Sequence, residues 1–397
     1  MLSRLAGRRV SREPIVPRVS VVVPCYNEEG NIEARIKNLE ASDYPADKLE
    51  IIVVSDGSTD STPEVATGAA SLRTRVLTYP KRSGKAAALN CAIREASGDV
   101  IVFADARQSF APRAIRELVA NLSDETVGAV SGELILAEKG RSQLSDAQAF
   151  YWGYEKWIRK SESRFDSSIG ATGAIYAIRR ELWRPLPDST ILDDVYTPMQ
   201  IALKGYRVVF EEKARAYDHA VSTSRQEFLR KARTLTGNYQ LCQLMPRLLV
   251  PTHRLAIQFY SHKLMRLIAP ILLVACFASN AAISIMQGAN AWSILYDAGL
   301  LAQSAFYLLV AAGWMVSGHN RGVRLAKAAY AFSLMNAAAL VGLFYFITGS
   351  ETYGPVRNRG ESRRRSKGVA RSNVAVGDAS LLKVLLVIVF GLVKRSC

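Results

Sequence analysis

Polar and acidic residues recur directly after short apolar runs in the first quarter of the chain. Val19-Ser-Val-Val-Val-Pro24 leads into Cys25, Tyr26, Asn27, Glu28 and Glu29, Ile51-Ile-Val-Val-Ser55 leads into Asp56-Gly-Ser-Thr-Asp60, and Val100-Ile-Val-Phe-Ala104 leads into Asp105. In open parallel α/β sheets, ligands bind outside the carboxyl ends of the strands. This spacing therefore loads one sheet edge with groups suited to a nucleotide and its phosphates. Asp56 can accept hydrogen bonds from a base or a ribose, although Asp-Gly-Ser-Thr-Asp is also good turn and N-cap chemistry. Lys85, after Gly84 at an expected helix start, is placed for a diphosphate; a solvated helix lysine is the other reading.

The elements that must position these residues alternate in the first half. Strands are expected over Val19–Pro24, Glu50–Ser55, Arg75–Tyr79 and Val100–Ala104. Helices are expected over Asn31–Leu39, Thr59–Ala70, with Pro63 in its first turn, and Ser83–Ala96. Continuous β-branched runs suit parallel strands covered on both faces, joined by right-handed βαβ units. Beyond residue 110 the pattern is mixed. Val127–Ala137, Ala174–Ile178 and Tyr206–Phe210 read as strands, and Asp193–Leu203 and Arg225–Leu244 as helices. Leu144–Lys160 is amphipathic and rich in aromatics.

A mean hydropathy of +0.06 is high for a purely soluble chain of 397 residues. The cause is local: Leu267–Met286, Ala298–Ser317 and Ala328–Ile347 are each twenty residues without a formal charge. A bilayer core of ~30 Å needs ~20 apolar residues of helix, so each can span. Val384–Val393 is too short, and Met1–Arg18 is basic with no signal-peptide core. Met245–Ser261 reads either as an interfacial helix or as a linker.

The net charge is +16, with 37 basic and 31 acidic residues up to Lys263 against 14 and 4 beyond it. Basic excess beside spans reads as contact with anionic lipid, and no groove-reading motif supports nucleic acid. The five scattered cysteines lack metal-type spacing and suit reduced thiols on a cytosolic face. Arg321, Arg324 and Lys327 fit a cytosolic second loop. A third full span would then place the arginine-rich Gly354–Asn373 segment outside, so either one run does not fully cross or that tail is an exception.

Together, Pro24-Cys-Tyr-Asn-Glu-Glu29, Ser55-Asp-Gly-Ser-Thr-Asp60, Gly84-Lys85 and Asn90 resemble the nucleotide-binding half of the inverting family 2 glycosyltransferases. The likeness runs over Val19–Arg233 and is strongest to the membrane-attached relatives of cellulose and hyaluronan synthases. It implies an α/β fold of the GT-A (Rossmann-like) type followed by an all-α transmembrane region. The expected division is a basic segment (1–18), a catalytic domain (19–240), an interfacial segment or linker (241–263), a transmembrane region (264–348) and a basic tail (349–397).

The resemblance assigns Pro24, Tyr26, Glu28, Asp56, Lys85, Asp105, Arg107 and Arg233 to the nucleotide and donor. Asp105 matches the first aspartate of the family's Asp-x-Asp motif for Mg²⁺ or Mn²⁺; here Arg107 replaces the second and can itself neutralise a diphosphate. Asp218 and His219 are possible further metal ligands, with an ordinary hydrogen-bonded histidine as the alternative. Leu192-Asp193-Asp194 matches the family's Thr-Glu-Asp motif, making Asp194 the base and Asp193 its neighbour; helix capping is the alternative. A nearby like charge raises a carboxylate's proton affinity, which suits a base near neutral pH. Gly170-Ala-Thr-Gly-Ala174 resembles a small-residue stretch near the donor sugar and acceptor. Arg230-Lys-Ala-Arg233-Thr234 keeps only the arginine of the processive enzymes' Gln-x-x-Arg-Trp.

The implied activity is transfer of a sugar, with inversion, from a UDP-linked donor to a glycan or lipid-linked acceptor by a multi-pass membrane enzyme whose catalytic domain is cytoplasmic. Three spans are few for an autonomous channel and favour anchoring, oligomeric assembly or an export partner. The rivals are a polyprenyl-phosphate glycosyltransferase and a non-catalytic membrane scaffold with a degenerate nucleotide-binding domain.

Overall fold

The computed structural model describes residues 9–137, 146–219, 224–286, 293–315 and 321–349. The chain groups into a unit Met1–Phe346 and a unit Ile347–Cys397; of the latter, residues 347–349 are described. The Val384–Val393 run and the basic tail beyond residue 349 lie outside the described residues.

The elements in chain order are β1 Val19–Cys25, α1 Ile32–Glu40, β2 Leu49–Asp56, α2 Thr62–Ala69, β3 Thr74–Tyr79, α3 Lys85–Glu95, β4 Val100–Ala104, β5 Ser109–Phe110 and α4 Ala114–Ala120. They continue as β6 Val127–Ala137, α5 Asp146–Phe165, β7 Ile175–Arg179, α6 Asp193–Leu203, β8 Arg207–His219 and α7 Ser224–Leu244. Three long apolar helices follow: α8 Ala256–Met286, α9 Ser293–Met315 and α10 Arg321–Thr348.

All eight strands form one sheet in the order β3-β2-β1-β4-β7-β6-β8-β5. Strands β1 to β4 are mutually parallel, as the unbroken β-branched runs require, and β7 runs antiparallel to both β4 and β6. Val21, Val22 and Val23 of β1 and Ile51 to Val54 of β2 are completely buried, because helices cover both faces. One core layer takes in Ile32, Ile36 and Leu39 of α1, and the other takes in Leu89 of α3 and Met199 of α6. At about 1.5–3 kcal/mol per fully buried aliphatic side chain, the strands are anchored far more firmly than the loops at their carboxyl ends.

Two expectations change on contact with the structure. The Tyr206–Phe210 strand extends to His219, because register shifts against β6 carry the chain past Glu211-Glu212-Lys213 and return Ala214 and Ala216 to the core. The Met245–Ser261 segment, expected as an interfacial helix or a linker, is in part helical and continuous with the first apolar helix. After a short 3₁₀ turn at Pro246–Leu249, helix begins at Ala256 and runs through a π-helical turn, Tyr260–Leu264, into the first apolar helix. Three helices are long and apolar enough to cross a membrane, as the charge-free runs require.

Candidate active site

Strands β1, β2 and β4 are adjacent and parallel, so Tyr26, Asp56 and Asp105 emerge at the same sheet edge. The first two loops are stitched together. Asn27 adopts φ 54°, and its Oδ1 accepts from Thr59 N at 2.8 Å. Glu28 N donates to Thr62 Oγ1 at 2.8 Å, and Ser61 N donates to Glu29 Oε2 at 3.0 Å. Asp60 accepts from both the amide and the hydroxyl of Thr62, a loop-supporting role. Pro24 is the next-to-last residue of β1, its carboxyl-side neighbour Cys25 buried; burial, then Glu28, Asp60 and Asp56, push the Cys25 thiol up to about 12. Glu28 is itself raised by burial, against the pull of Asn31 and Arg107. Arg107 is exposed and within electrostatic reach of Glu28.

Asp56 is the last residue of β2 and is only 6% exposed. Its two oxygens accept from Ser83 N at 2.8 Å and Gly84 N at 2.7 Å, fixing the turn that delivers Lys85. Gly57 packs so closely on that turn that a Cβ would stand 2.3 Å from Arg82 N. The Arg82 guanidinium lies 4.0 Å from the Tyr26 ring centroid. Tyr26, Arg82 and Asp56 thus combine a flat face with an acceptor, the two properties a nucleobase slot needs.

Lys85 Nζ lies 3.2 Å from Asp105 Oδ1 and 3.3 Å from Asp193 Oδ2. Burial would lower the lysine's proton affinity, but Asp105, Asp193 and Asp194 outweigh it and hold its pKa above the ordinary value. The lysine and Asp105 side chains remain 35% and 37% exposed, open to a ligand. Asp193 is almost fully buried, and its Oδ2 makes no hydrogen bond despite the nearby ammonium. Burial raises its pKa to about 6, with Asp194 and Asp105 adding to the rise and Lys85 opposing it.

Asp194 is half-buried at the start of α6 and is not used as a cap. Pro198, four residues on, has no N–H to bond the Asp194 carbonyl. That carbonyl accepts instead from Ala171 N at 2.7 Å. A Cβ on Gly173 would stand 2.9 Å from Asp194 Oδ2. The Gly170–Ala174 stretch therefore cradles both ends of Asp194. Tyr176 forms the floor: it stacks on Phe103 at 4.1 Å, and burial with Asp193, Asp194 and Asp105 drives its hydroxyl well above the ordinary value.

Other expected residues stand apart. Arg233 is exposed on α7, one turn before Gly237, which packs against Leu192; among the described residues it makes no ion pair with the carboxylates. His219 closes β8 opposite Ala137, and its side chain lies outside the described residues. Asp218 Oδ2 accepts from Gln108 Nε2 at 2.8 Å. Among the described residues no three His, Cys, Asp or Glu side chains converge as a metal centre. Asp105, one accessible carboxylate beside the Ser83–Gly84 turn, still suits Mg²⁺ or Mn²⁺ of the kind held by one or two carboxylates plus substrate phosphates.

Sequence reasoning missed Arg35, Arg82 and Tyr176. Arg35 is 2% exposed on the Ile32-Ile36-Leu39 face of α1, and its guanidinium covers Phe110 at 4.1 Å. Burial lowers its pKa to about 9, with Asp105 opposing. A cation on the apolar stripe of a helix was the available signal. Arg82 and Tyr176 carried none beyond their neighbours.

The family model described as "Glycosyl transferase family 2" matches residues 20–185. A Bacillus subtilis (strain 168) protein described as "Probable glycosyltransferase YdaM" is 29% identical over 241 residues, 56% of this chain and 56% of its own length. An "N-acetylglucosaminyltransferase" of Bradyrhizobium elkanii is 33% identical over 135 residues, 33% of this chain and 74% of its own length. The chain thus spans about half the length of the first of these curated relatives. Among solved structures, the mannosyltransferase PcManGT from Pyrobaculum calidifontis, in complex with GDP-Man and Mn²⁺, superposes with a TM-score of 0.66. It shares 25% identity, over 88% of this chain and 93% of that one.

Proposed function

Because this chain belongs to glycosyl transferase family 2, we propose that it transfers a sugar from a nucleotide-sugar donor to an acceptor hydroxyl with inversion at the anomeric carbon. The observation that carries this reading is the convergence of Asp105, Asp193 and Asp194 on Lys85, beside the turn held by Asp56. Tyr26, Arg82 and Asp56 receive the base. Lys85, with the Gly84 turn, receives the diphosphate, and Arg107 adds charge at its exposed edge. Pro24 and Glu28 shape the entrance; Arg233, exposed on α7, comes to the diphosphate on the family resemblance alone.

The acceptor oxygen attacks the anomeric carbon while the bond to the diphosphate breaks and its electron pair leaves with the diphosphate. Asp194 takes the acceptor proton. Asp193 holds Lys85 in place and keeps negative charge beside the base. Asp105 would hold a divalent cation, Mg²⁺ or Mn²⁺, which supplies charge neutralisation to the departing diphosphate. The N-acetylglucosaminyltransferase named above favours an N-acetylhexosamine, the family resemblance a UDP-linked donor, and the GDP-Man complex keeps a hexose in play.

We place the α/β domain in the cytoplasm, with α8, α9 and α10 as multi-pass anchors, since Arg321, Arg324 and Lys327 follow α9. The acceptor is a glycan or a lipid-linked molecule at the membrane face. An order of 1–18, 19–240, 241–263, 264–348 and 349–397 for basic segment, catalytic domain, connector, membrane region and tail follows, with the connector's end already part of α8. Retention of Lys85 in contact with Asp105 and Asp193, with Asp194 in electrostatic reach, favours catalysis over a degenerate scaffold. Incubating membranes that contain the protein with a panel of radiolabelled nucleotide sugars tests the reading. Labelled product from one donor is expected, and no product from any donor sinks it.

A further inference from the structure

Glu162 of α5 and His262 of α8 are 7% and 5% exposed, and the transfer step uses neither. A carboxylate and an imidazole are costly to bury unless each has a partner. Their partners lead to the base. Glu162 Oε1 lies 2.8 Å from His262 Nδ1, and Glu162 Oε2 accepts from Ile169 N at 3.1 Å. Two residues on, Ala171 N donates to the Asp194 carbonyl at 2.7 Å. One buried carboxylate thus joins the first apolar helix to the backbone that cradles Asp194.

That backbone needs a hold from outside. Gly170, between the two bonded amides, sits at φ 96° and has no side chain to fix it. The hold comes from one face of α5. Glu162 pins Ile169 on one side of the glycine, and Arg159, three residues earlier in the helix, donates to Thr172 Oγ1 on the other.

The brace behind Glu162 belongs to the membrane helix. His262 is the middle residue of the π-helical turn Tyr260–Leu264, an uncommon irregularity that recurs at functional sites. Its second nitrogen, Nε2, lies 3.3 Å from Glu155 Oε2, and Glu155 Oε1 pairs with Arg266 at 2.6 Å. Glu155 therefore ties α5 to the ring and to Arg266 of the same helix, whereas Glu162 ties it to the ring and to Ile169 N.

We propose that Glu162 is a positioning residue for the base: braced by His262, it fixes Ile169 and, through the Gly170–Ala171 backbone, the place from which Asp194 takes the acceptor proton. This rests on the transfer reading, in which Asp194 is the base, and adds that the first apolar helix sets part of its geometry.

The test is transfer by the detergent-solubilised full chain, with donor binding measured on every variant as a report of folding. Glu162→Leu should lower kcat about 10- to 100-fold, the scale on which a small misplacement counts, while KM for the donor stays within about twofold. Glu162→Gln, whose amide oxygen can still accept from Ile169 N, should recover most of that loss. His262→Asn, whose amide N–H can stand in for Nδ1, should keep kcat within about threefold of the wild type. Glu155→Gln loosens the same helix contact without touching Ile169 N and should leave kcat unchanged. In an Asp194→Asn background Glu162→Leu should cost less than about twofold more, because positioning acts only through the group positioned. Should Glu162→Leu fail to bind donor, Glu162→Asp, shorter by one methylene, takes its place with the same expectations. A wild-type kcat in the Glu162 variant, an equal loss in Glu155→Gln, or a fully additive loss on Asp194→Asn overturns the proposal and leaves the transfer reading standing. A wild type that transfers from no donor sinks the transfer reading and the positioning role with it.

Discussion

Lys85 Nζ and Asp193 Oδ2 are 3.3 Å apart, joining the head of α3 to the head of α6. The same ammonium is 3.2 Å from Asp105 Oδ1. A single cation therefore ties the end of β4 to the loop that carries the base, and any anion that recruits Lys85 must renegotiate its contacts with both carboxylates.

The burial of Asp193, which outweighs the pull of Lys85, has a pH signature. Asp193 titrates at about 6 in the folded chain, above the ordinary carboxyl value of 3.8. The native state therefore holds a proton that the unfolded chain has already lost between those limits. The stability so contributed is present in full below the unfolded value and is lost as pH rises through about 6. Denaturant midpoints of the wild type should fall over that window relative to those of Asp193→Asn. Parallel curves would count against the assignment.

The turn that presents Lys85 depends on Gly57, at φ 65° with no room for a Cβ beside Arg82 N. A left-handed residue bearing a Cβ costs about 1–2 kcal/mol before any clash, which is about five- to thirtyfold in a local equilibrium. In Gly57→Ala, KM for the donor should rise by at least that factor while kcat falls less. An unchanged donor KM would show that the turn does not hold the nucleotide.

Much of this architecture was legible in the sequence, since β-branched runs followed by acids fix both the strands and the edge they load. Asp105 was found that way, Lys85 from its place after Gly84 at a helix start, and Asp193 through the family resemblance. Their mutual contact was not, because it requires the antiparallel return of β7 and the entry of α6. Pro198 shows why: its missing N–H frees the Asp194 carbonyl for Ala171, a consequence visible only once the Gly170–Ala174 stretch lies alongside. Arg35 carried one signal, its place on the Ile32-Ile36-Leu39 stripe, but what it covers shows only once Phe110 is placed beneath it. The Glu211-Glu212-Lys213 run masked the second half of β8 by looking like a surface break.

Gly173 tests the cradle around the base. A Cβ there would stand 2.9 Å from Asp194 Oδ2 and must displace it. Gly173→Ala should lower kcat with little change in donor affinity. A drop in donor affinity alone would move this stretch from the acceptor side to the nucleotide side.

Chelation should abolish transfer, and Mn²⁺ or Mg²⁺ should restore it. Asp105→Asn should weaken nucleotide affinity in metal-containing buffer more than in metal-free buffer. Full transfer in the presence of chelator would leave diphosphate neutralisation to Lys85 and Arg107.

The identity of the base is the most exposed point. Purified Asp194→Asn should bind the productive nucleotide sugar within about twofold of the wild type, yet transfer it about 10²–10⁴-fold more slowly, the range that general-base catalysis supplies. Donor affinity and single-turnover transfer, measured side by side on the two proteins, decide it. Transfer by Asp194→Asn at the wild-type rate would contradict the assignment outright.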